Sequence, residues 1–499
     1  MPVISTHELT PGAYPEFREQ IYNALDCCVT FEVNEEIQSL SNTNPEIYNF
    51  ARALQAPVLE MMLRGFLVDQ FERQRAAEDL RAKLTTLESL LTRLANAVWD
   101  RPLNPRSQKQ LQEFFYGCMN IPEIWTSKRG KKILSMDRET LEKLEVYFHA
   151  RPIVATILSF RDLAKKLDVL ETQIDPDGRM RTALNIGGTE TGRFSSSKSP
   201  LGTGANFQNI EDKLRRVLVA DPGWKICGID LEQAESREVG WLCGILFNDW
   251  TYLDACEGGD LHTSTAKLIW PTLPWPGDPK GDRELAEQPF YRHYSRRDMS
   301  KRGGHGSSYL GAPFTMARHL KVPVKLMESF QEAFFSAYPG IPKWHRWTAE
   351  QLQTTQTLVT PFGRTRRFFG RPNDDATLRE AVAYVPQSAT ADRLNLGLFR
   401  IWKHMGNRVR LLTQLHDAVY FEYREDDNEA EVIAQALELI DIPLFAPSGR
   451  RFSVPGEAKV GWNWGPGSDP RRGWHNPDGL MKFKGHDPRV RTPLLDRIL

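Results

Sequence analysis

Two aspartates and a row of cations are the residues of this chain best suited to chemistry. Asp230 ends the apolar run "KICGID", just before a helical pattern. Asp417 follows His416 between two apolar half-strands, "VRLLTQL" and "VYFEY". A carboxylate in such surroundings is costly unless it is paired or binds a metal. Two carboxylates on strand ends, far apart in sequence, can meet in space and share divalent metals. That arrangement serves in-line displacement at phosphorus, and Mg²⁺ suits it because it needs few carboxylates and shares substrate phosphates. In "SRRDMSKRGGHGSSYLG", Arg297, Lys301 and His305 fall at i, i+4 and i+8, on one helix face. Such cations repel unless an anion offsets them, and a triphosphate would do so. Gly303, Gly304 and Gly306 each cost about 1 kcal/mol in a helix interior, which predicts a close approach to the backbone there. Tyr309 adds an aromatic surface one turn further. Taken singly these signals are weak. An aspartate at a strand end is more commonly a cap or turn residue, and a basic helix face is more commonly solvated.

These residues need elements to position them. "KICGIDL" reads as a short strand after the turn signal "DPGW", and "EQAESREVGWLCGIL" as a helix. The alternation around Leu411–Tyr423 predicts a hairpin with His416 and Asp417 at its tip. Residues 46–170 read as helical, with Leu80, Leu84, Leu87, Leu91 and Leu94 at helical spacing. Ser107 with Gln110 resembles a capping box, and Asp137 is a candidate N-cap. A polar, Gly/Ser-rich stretch around residues 189–210 reads as loops or short strands. Residues 245–370 are mainly helical, broken by "WPTLPWPGDPKGDRE". A long helix begins near residue 378. The tail after Gly465, rich in Pro, Gly and basic residues, is expected to be irregular.

The 499 residues are 40% hydrophobic and 26% charged, as in a soluble globular protein with a large core. No apolar run is long enough for a transmembrane helix, so no membrane partner is expected. The N-terminus lacks a signal or transit pattern. Six cysteines without metal-type pairing point to reduced thiols in the cytoplasm. Formal net charge is zero; 64 Lys and Arg still allow local basic patches for phosphate.

Several segments together resemble the DNA polymerase I family, family A, most closely its bacteriophage members. "DLEQAESR", from Asp230 to Arg237, resembles motif A, D-Y-S-Q-x-E-L-R. "RDMSKRGGHGSSY" resembles motif B, and "QLHDAVYFE" resembles motif C, Q-V-H-D-E. "TETGRFSSS", "NFQNI", "YVPQSATADRLNL" and "LNPRSQKQLQEFF" are similar to further family segments. The resemblance spans roughly residues 15–465. It implies an α+β right-hand polymerase with a helical thumb, an antiparallel-sheet palm and helical fingers. It places residues 51–180 in the thumb, 181–244 and 371–465 in the palm, and 245–370 in the fingers. Residues 1–50 would be the end of an exonuclease domain or a docking helix, and 466–499 a basic tail.

The implied reaction is template-directed addition of deoxynucleotides to a primer 3′-end in phage DNA replication. The implied partners are primer–template DNA and dNTPs. Two Mg²⁺ ions, with Mn²⁺ as a substitute, would sit on Asp230 and Asp417. In this resemblance Arg297, Lys301 and His262 hold the triphosphate, His305 faces the sugar and phosphates, and Tyr309 stacks near the templating position. Lys301 counts among the catalytic groups. Glu235 fills the space of a ribose 2′-hydroxyl, and Gln233 lies beside the nucleotide. Arg193, Arg237, Arg379, Gln387 and His416 contact the DNA near the primer end.

The departures matter too. His305 stands where motif B usually has Phe or Tyr, Ala418 where motif C has Glu, and Glu232 where Ser is usual. "YNALDCCVTFEV", with Tyr22 and Asp26, resembles the last exonuclease motif, but no aspartate precedes Asp26. The expectation is therefore a chain without intrinsic proofreading, whose first helix docks on the thumb or receives a separate exonuclease polypeptide. A catalytically silent DNA-binding accessory is the alternative from another class. A metal nuclease is the alternative enzyme, although it would need no triphosphate clamp.

Overall fold

The computed structural model describes residues 15–40, 44–128, 131–470 and 473–485. Its centre is a five-stranded antiparallel sheet. The strands are β1 (Trp224–Leu231), β2 (Val409–Leu415), β3 (Ala418–Arg424), β4 (Gly456–Gly461) and β5 (Met481–Lys482), in the order β2-β3-β1-β4-β5. The strand alternation forms as the sequence predicts. Cys227, Ile229, Val419, Phe421 and Ala458 point to one face and are buried there. Ile226, Leu412 and Leu415 point to the other and pack with Phe66, Phe207 and Trp464. The larger of these aliphatic and Phe side chains contribute about 1.5–3 kcal/mol each when fully buried. β5 lies in the tail expected to be irregular; residues 486–499 lie outside the described residues.

Nine helices carry the rest of the description. They are α1 (Arg18–Leu40), α2 (Gln70–Ala95), α3 (Arg151–Leu170), α4 (Ala234–Phe247), α5 (Leu261–Ile269), α6 (Arg296–Ser308), α7 (Val324–Ala337), α8 (Asp375–Met405) and α9 (Glu429–Ile440). α8 and α9 cover the first sheet face with Leu394, Leu398, Ile401, Ile433 and Ile440. α5, α6 and α7 share a separate core around Met299, Phe330 and Phe334. On α2, Leu80, Leu84 and Leu91 are buried, while Leu87 and Leu94 pack at the margin.

Asp137 caps its helix through the Thr140 amide at 3.0 Å. Ser107 also caps, accepting from the Gln110 amide. The Gln110 side chain, however, accepts from the Asn104 amide, so the reciprocal half of the capping box is absent. A hairpin of Trp125–Lys128 and Lys131–Leu134 interrupts the region expected to be all helical. On α1, Tyr22, Val29 and Phe31 are exposed. Of the two expectations for this helix, packing of these side chains on the thumb is not seen among the described residues.

One buried ion pair ties the site to its scaffold. Arg393 on α8 and Glu238 on α4 are both fully buried, with Nε donating to Oε1 at 3.0 Å. Arg393→Ala would leave the Glu238 carboxylate buried without its counter-charge. It is expected to cost about 3–5 kcal/mol, read as a lower urea midpoint at unchanged slope.

Candidate active site

Asp230 and Asp417 meet because of strand register. Asp230 pairs with Ala418 on one side and Glu457 on the other. Residues directly opposite share a sheet face, so Glu457 joins Asp230 there, and Asp417 lies one residue before Ala418. The Leu231 amide donates to the Asp417 carbonyl at 3.0 Å, closing the two strand ends together. His416 turns the hairpin with φ of 54°, a left-handed conformation in which His is enriched. About half of the Asp230 side chain remains open to solvent.

Burial raises the Asp230 carboxyl above its ordinary range. Lys459 opposes the shift, while Asp417, Glu457 and Glu232 add to it. Burial also raises Asp417, with Arg193 opposing and Glu235 adding. Burial thus disfavours the ionised form of both carboxyls despite the cation beside each.

α6 supplies the opposite wall. Asp230, Gln233, Glu235, His262, Lys301, His305 and Asp417 line one cleft of about 490 Å³. The predicted cation face forms, but its members differ. Arg297 is clamped by Asp260, Nε to Oδ2 at 2.6 Å and Nη2 to Oδ1 at 3.0 Å. Burial pushes His262 down to about 4, aided by the nearby cations Arg297 and Lys301 and opposed by Asp260. It is neutral at pH 7 and can donate one ring N–H. Lys301 is exposed and makes no ion pair among the described residues.

The close approach expected at the α6 glycines is present, and packed rings make it: a Cβ at Gly303 would lie 2.5 Å from Phe330, and one at Gly304 would lie 3.2 Å from Phe334. Two readings need correction. Asp260, not only a triphosphate, offsets the cation face. Arg237 is buried, with Nη2 donating to the Cys256 carbonyl at 3.1 Å, so it ties α4 to a neighbouring helix and cannot reach a duplex.

The remaining residues form a linked rim. Tyr309 Oη donates to Glu235 Oε2 at 2.6 Å. Arg193 donates to the other Glu235 oxygen and lies 3.4 Å from Asp417 Oδ1. Gln233 caps α4 in the left-handed region with φ of 53°. Gln387 is half-buried and Arg379 exposed, both on α8 and outside the cleft lining. Asp260, Glu457 and Lys459 were missed. Asp260 carried a signal, as a polar residue opening "DLHTSTA"; Glu457 and Lys459 are recognisable only through strand register.

The model of DNA polymerase family A matches residues 71–465. The chain belongs to DNA polymerase family A. It is 27% identical over 471 residues to DNA polymerase I of Chloroflexus aurantiacus, covering 89% of this chain and 46% of that one. Against the thermostable DNA polymerase I of Thermus thermophilus it is 28% identical over 410 residues, covering 78% and 45%. The chain thus spans about half the length of these relatives. The family A fold is also that of the POL domain of Pol1 from M. smegmatis, solved in complex with DNA primer-template and dNTP. That structure matches at a TM-score of 0.65 and 21% identity, over 89% of this chain and 73% of that chain. The α+β right-hand architecture follows for this family A chain.

Proposed function

We propose that the chain is a DNA-directed DNA polymerase, adding deoxynucleotides to a primer 3′-end as the template dictates. One observation carries the reading: the palm carboxylates Asp230 and Asp417 share a cleft with Lys301 of α6. A nuclease needs the first feature and not the second. The phage setting implied by the motif resemblance is part of this reading.

The residues fit divalent cations. Among the described residues no three His, Cys, Asp or Glu groups form a closed metal cage. Two hard carboxylates whose ionisation is opposed by burial instead suit Mg²⁺ that completes its shell with water and phosphate. Asp230 and Asp417 would hold the ions. When bound, two such ions lower the pKa of a primer hydroxyl and neutralise charge on a pyrophosphate leaving group.

The chain's own groups do the rest. Lys301 and the neutral His262 meet the triphosphate from α6 and α5, and Arg297 stands behind them, oriented by Asp260. His305 lies one turn beyond Lys301, towards the incoming sugar. Arg193 and Tyr309 hold Glu235 from two sides, so its carboxylate is a fixed wall where a 2′-hydroxyl would lie. His416, at the hairpin tip, stands beside the primer end, and Gln387 and Arg379 extend the DNA contacts along α8.

A direct test uses a dideoxy-terminated primer–template, so that no chemistry intervenes. The nucleotide complementary to the templating base should stabilise the complex in a gel-shift competition. Equal stabilisation by all four dNTPs would reject template direction.

Sugar choice gives a second check. Glu235→Ala opens the wall and should raise ribonucleotide incorporation by roughly 10- to 200-fold relative to dNTP, the range for a small steric change in a pocket. Unchanged rNTP:dNTP selectivity in single-nucleotide assays would remove Glu235 from this role.

A further inference from the structure

The family A match ends at residue 465, and residues 466–470 and 473–485, which follow it, pack on the sheet. This segment turns back on itself through a bridge between Asp469 and Trp474, and a second bridge joins Pro466 to Leu480. Asn463 and Asn476 exchange side-chain hydrogen bonds of 2.9 and 3.0 Å. β5 then adds an edge strand to the palm, with Lys482 opposite Lys459. The result is one wall of a groove of about 600 Å³, faced by Lys213 and Arg215.

The groove opens beside the reacting centre. Lys459 pairs in register with Gly228, two residues before Asp230 on β1, so it shares the face of Asp230. Its Nζ lies 4.0 Å from Asp230 Oδ2. Lys482 continues the same row outward. Lys213 stands 5.2 Å over the Trp474 ring, and Arg215 stands 4.8 Å over Trp464. The carboxylates nearby are already engaged: Glu211 with Lys166 at 2.5 Å, Asp212 with Arg215 at 2.8 Å, and Glu457 with Lys482 at 2.7 Å. Asp469 also lines the groove. Among the described residues Lys213 has no carboxylate partner.

We propose that this groove, completed by the C-terminal segment, binds the sugar-phosphate backbone of the primer strand behind its 3′-end. The proposal rests on the polymerase reading, because the strand that ends at Asp230 is then the primer. The basic row leads away from Asp230 across β4 and β5. Lysines on exposed stems contact phosphate without reading bases, which suits an enzyme that must accept any sequence.

The test uses the full chain and primer–template binding by fluorescence anisotropy from 50 to 200 mM salt. Lys213→Ala with Lys482→Ala should weaken binding and reduce the slope of log K against log salt by about 1–2, one unit for each lost phosphate contact. Lys213→Ala alone, from an exposed side chain, should keep the parent's melting temperature and show about half the change in slope. Slopes equal to the parent's in both variants would overturn the proposal. So would an unchanged DNA affinity accompanied by weaker pyrophosphorolysis, which would assign the groove to the leaving group. If the parent itself fails to bind primer–template, the polymerase reading falls instead.

Discussion

Asp417→Ala should reduce nucleotide addition by roughly a thousandfold or more, about 4 kcal/mol of barrier, while primer–template affinity stays within a fewfold. Asp230→Ala should do the same. The reason lies in the register: both carboxylates belong to adjoining strand ends and face the cleft. Neither is needed to form the sheet, whose core lies on other residues. On the proposed reading, removing either takes away a metal ligand without taking away the surface for DNA.

The metal-free protein supplies an independent readout. Burial raises the carboxyls of both residues in the folded state. The unfolded chain therefore gains more from their ionisation than the folded chain does. This cost grows as pH rises from the ordinary carboxylate value to the raised one, and it is complete above that. Asp417→Asn should accordingly raise the melting temperature of the metal-free protein at pH 7 and leave it unchanged at pH 3. Loss of activity with loss of stability at pH 7 would mean a structural role.

Lys301→Ala should lower kcat/KM for dNTP by about 100- to 1000-fold, the usual loss when one preorganised charge donor is removed. Its two neighbours cannot replace it. Arg297 is held in a bidentate pair with Asp260, and burial keeps His262 neutral. Lys301→Arg should recover part of the loss, because a cation is restored with altered reach. Rapid-quench incorporation at varied dNTP checks both variants. A Lys301→Ala value within a fewfold of the parent would show that the triphosphate is held elsewhere.

Much of this site is legible along the sequence because its groups sit in regular elements. The helical period puts Lys301 and His305 on one face of α6, and alternation puts Asp417 at a hairpin tip. Long-range pairing is not legible in that way. Glu457 and Lys459 reach Asp230 through β4, a strand more than two hundred residues later whose register depends on the whole sheet. Arg237 misleads for a related reason. The resemblance of "DLEQAESR" implies a DNA contact at Arg237, yet α4 turns it inward against the Cys256 carbonyl. The glycines of α6 were legible as a close approach, but only packing shows that Phe330 and Phe334 make it. The tail after Gly465 has the composition of a loop, yet Met481–Lys482 form β5 because β4 offers them an open edge.

The most direct measurement is single-nucleotide primer extension with Mg²⁺, supplying each dNTP separately against each templating base. Addition of one nucleotide only by the complementary dNTP, abolished in Asp230→Ala and Asp417→Ala, is the expected result. No extension by the parent protein under any pairing, or extension that ignores the templating base, would contradict the assignment of Asp230, Asp417 and Lys301 to template-directed DNA synthesis.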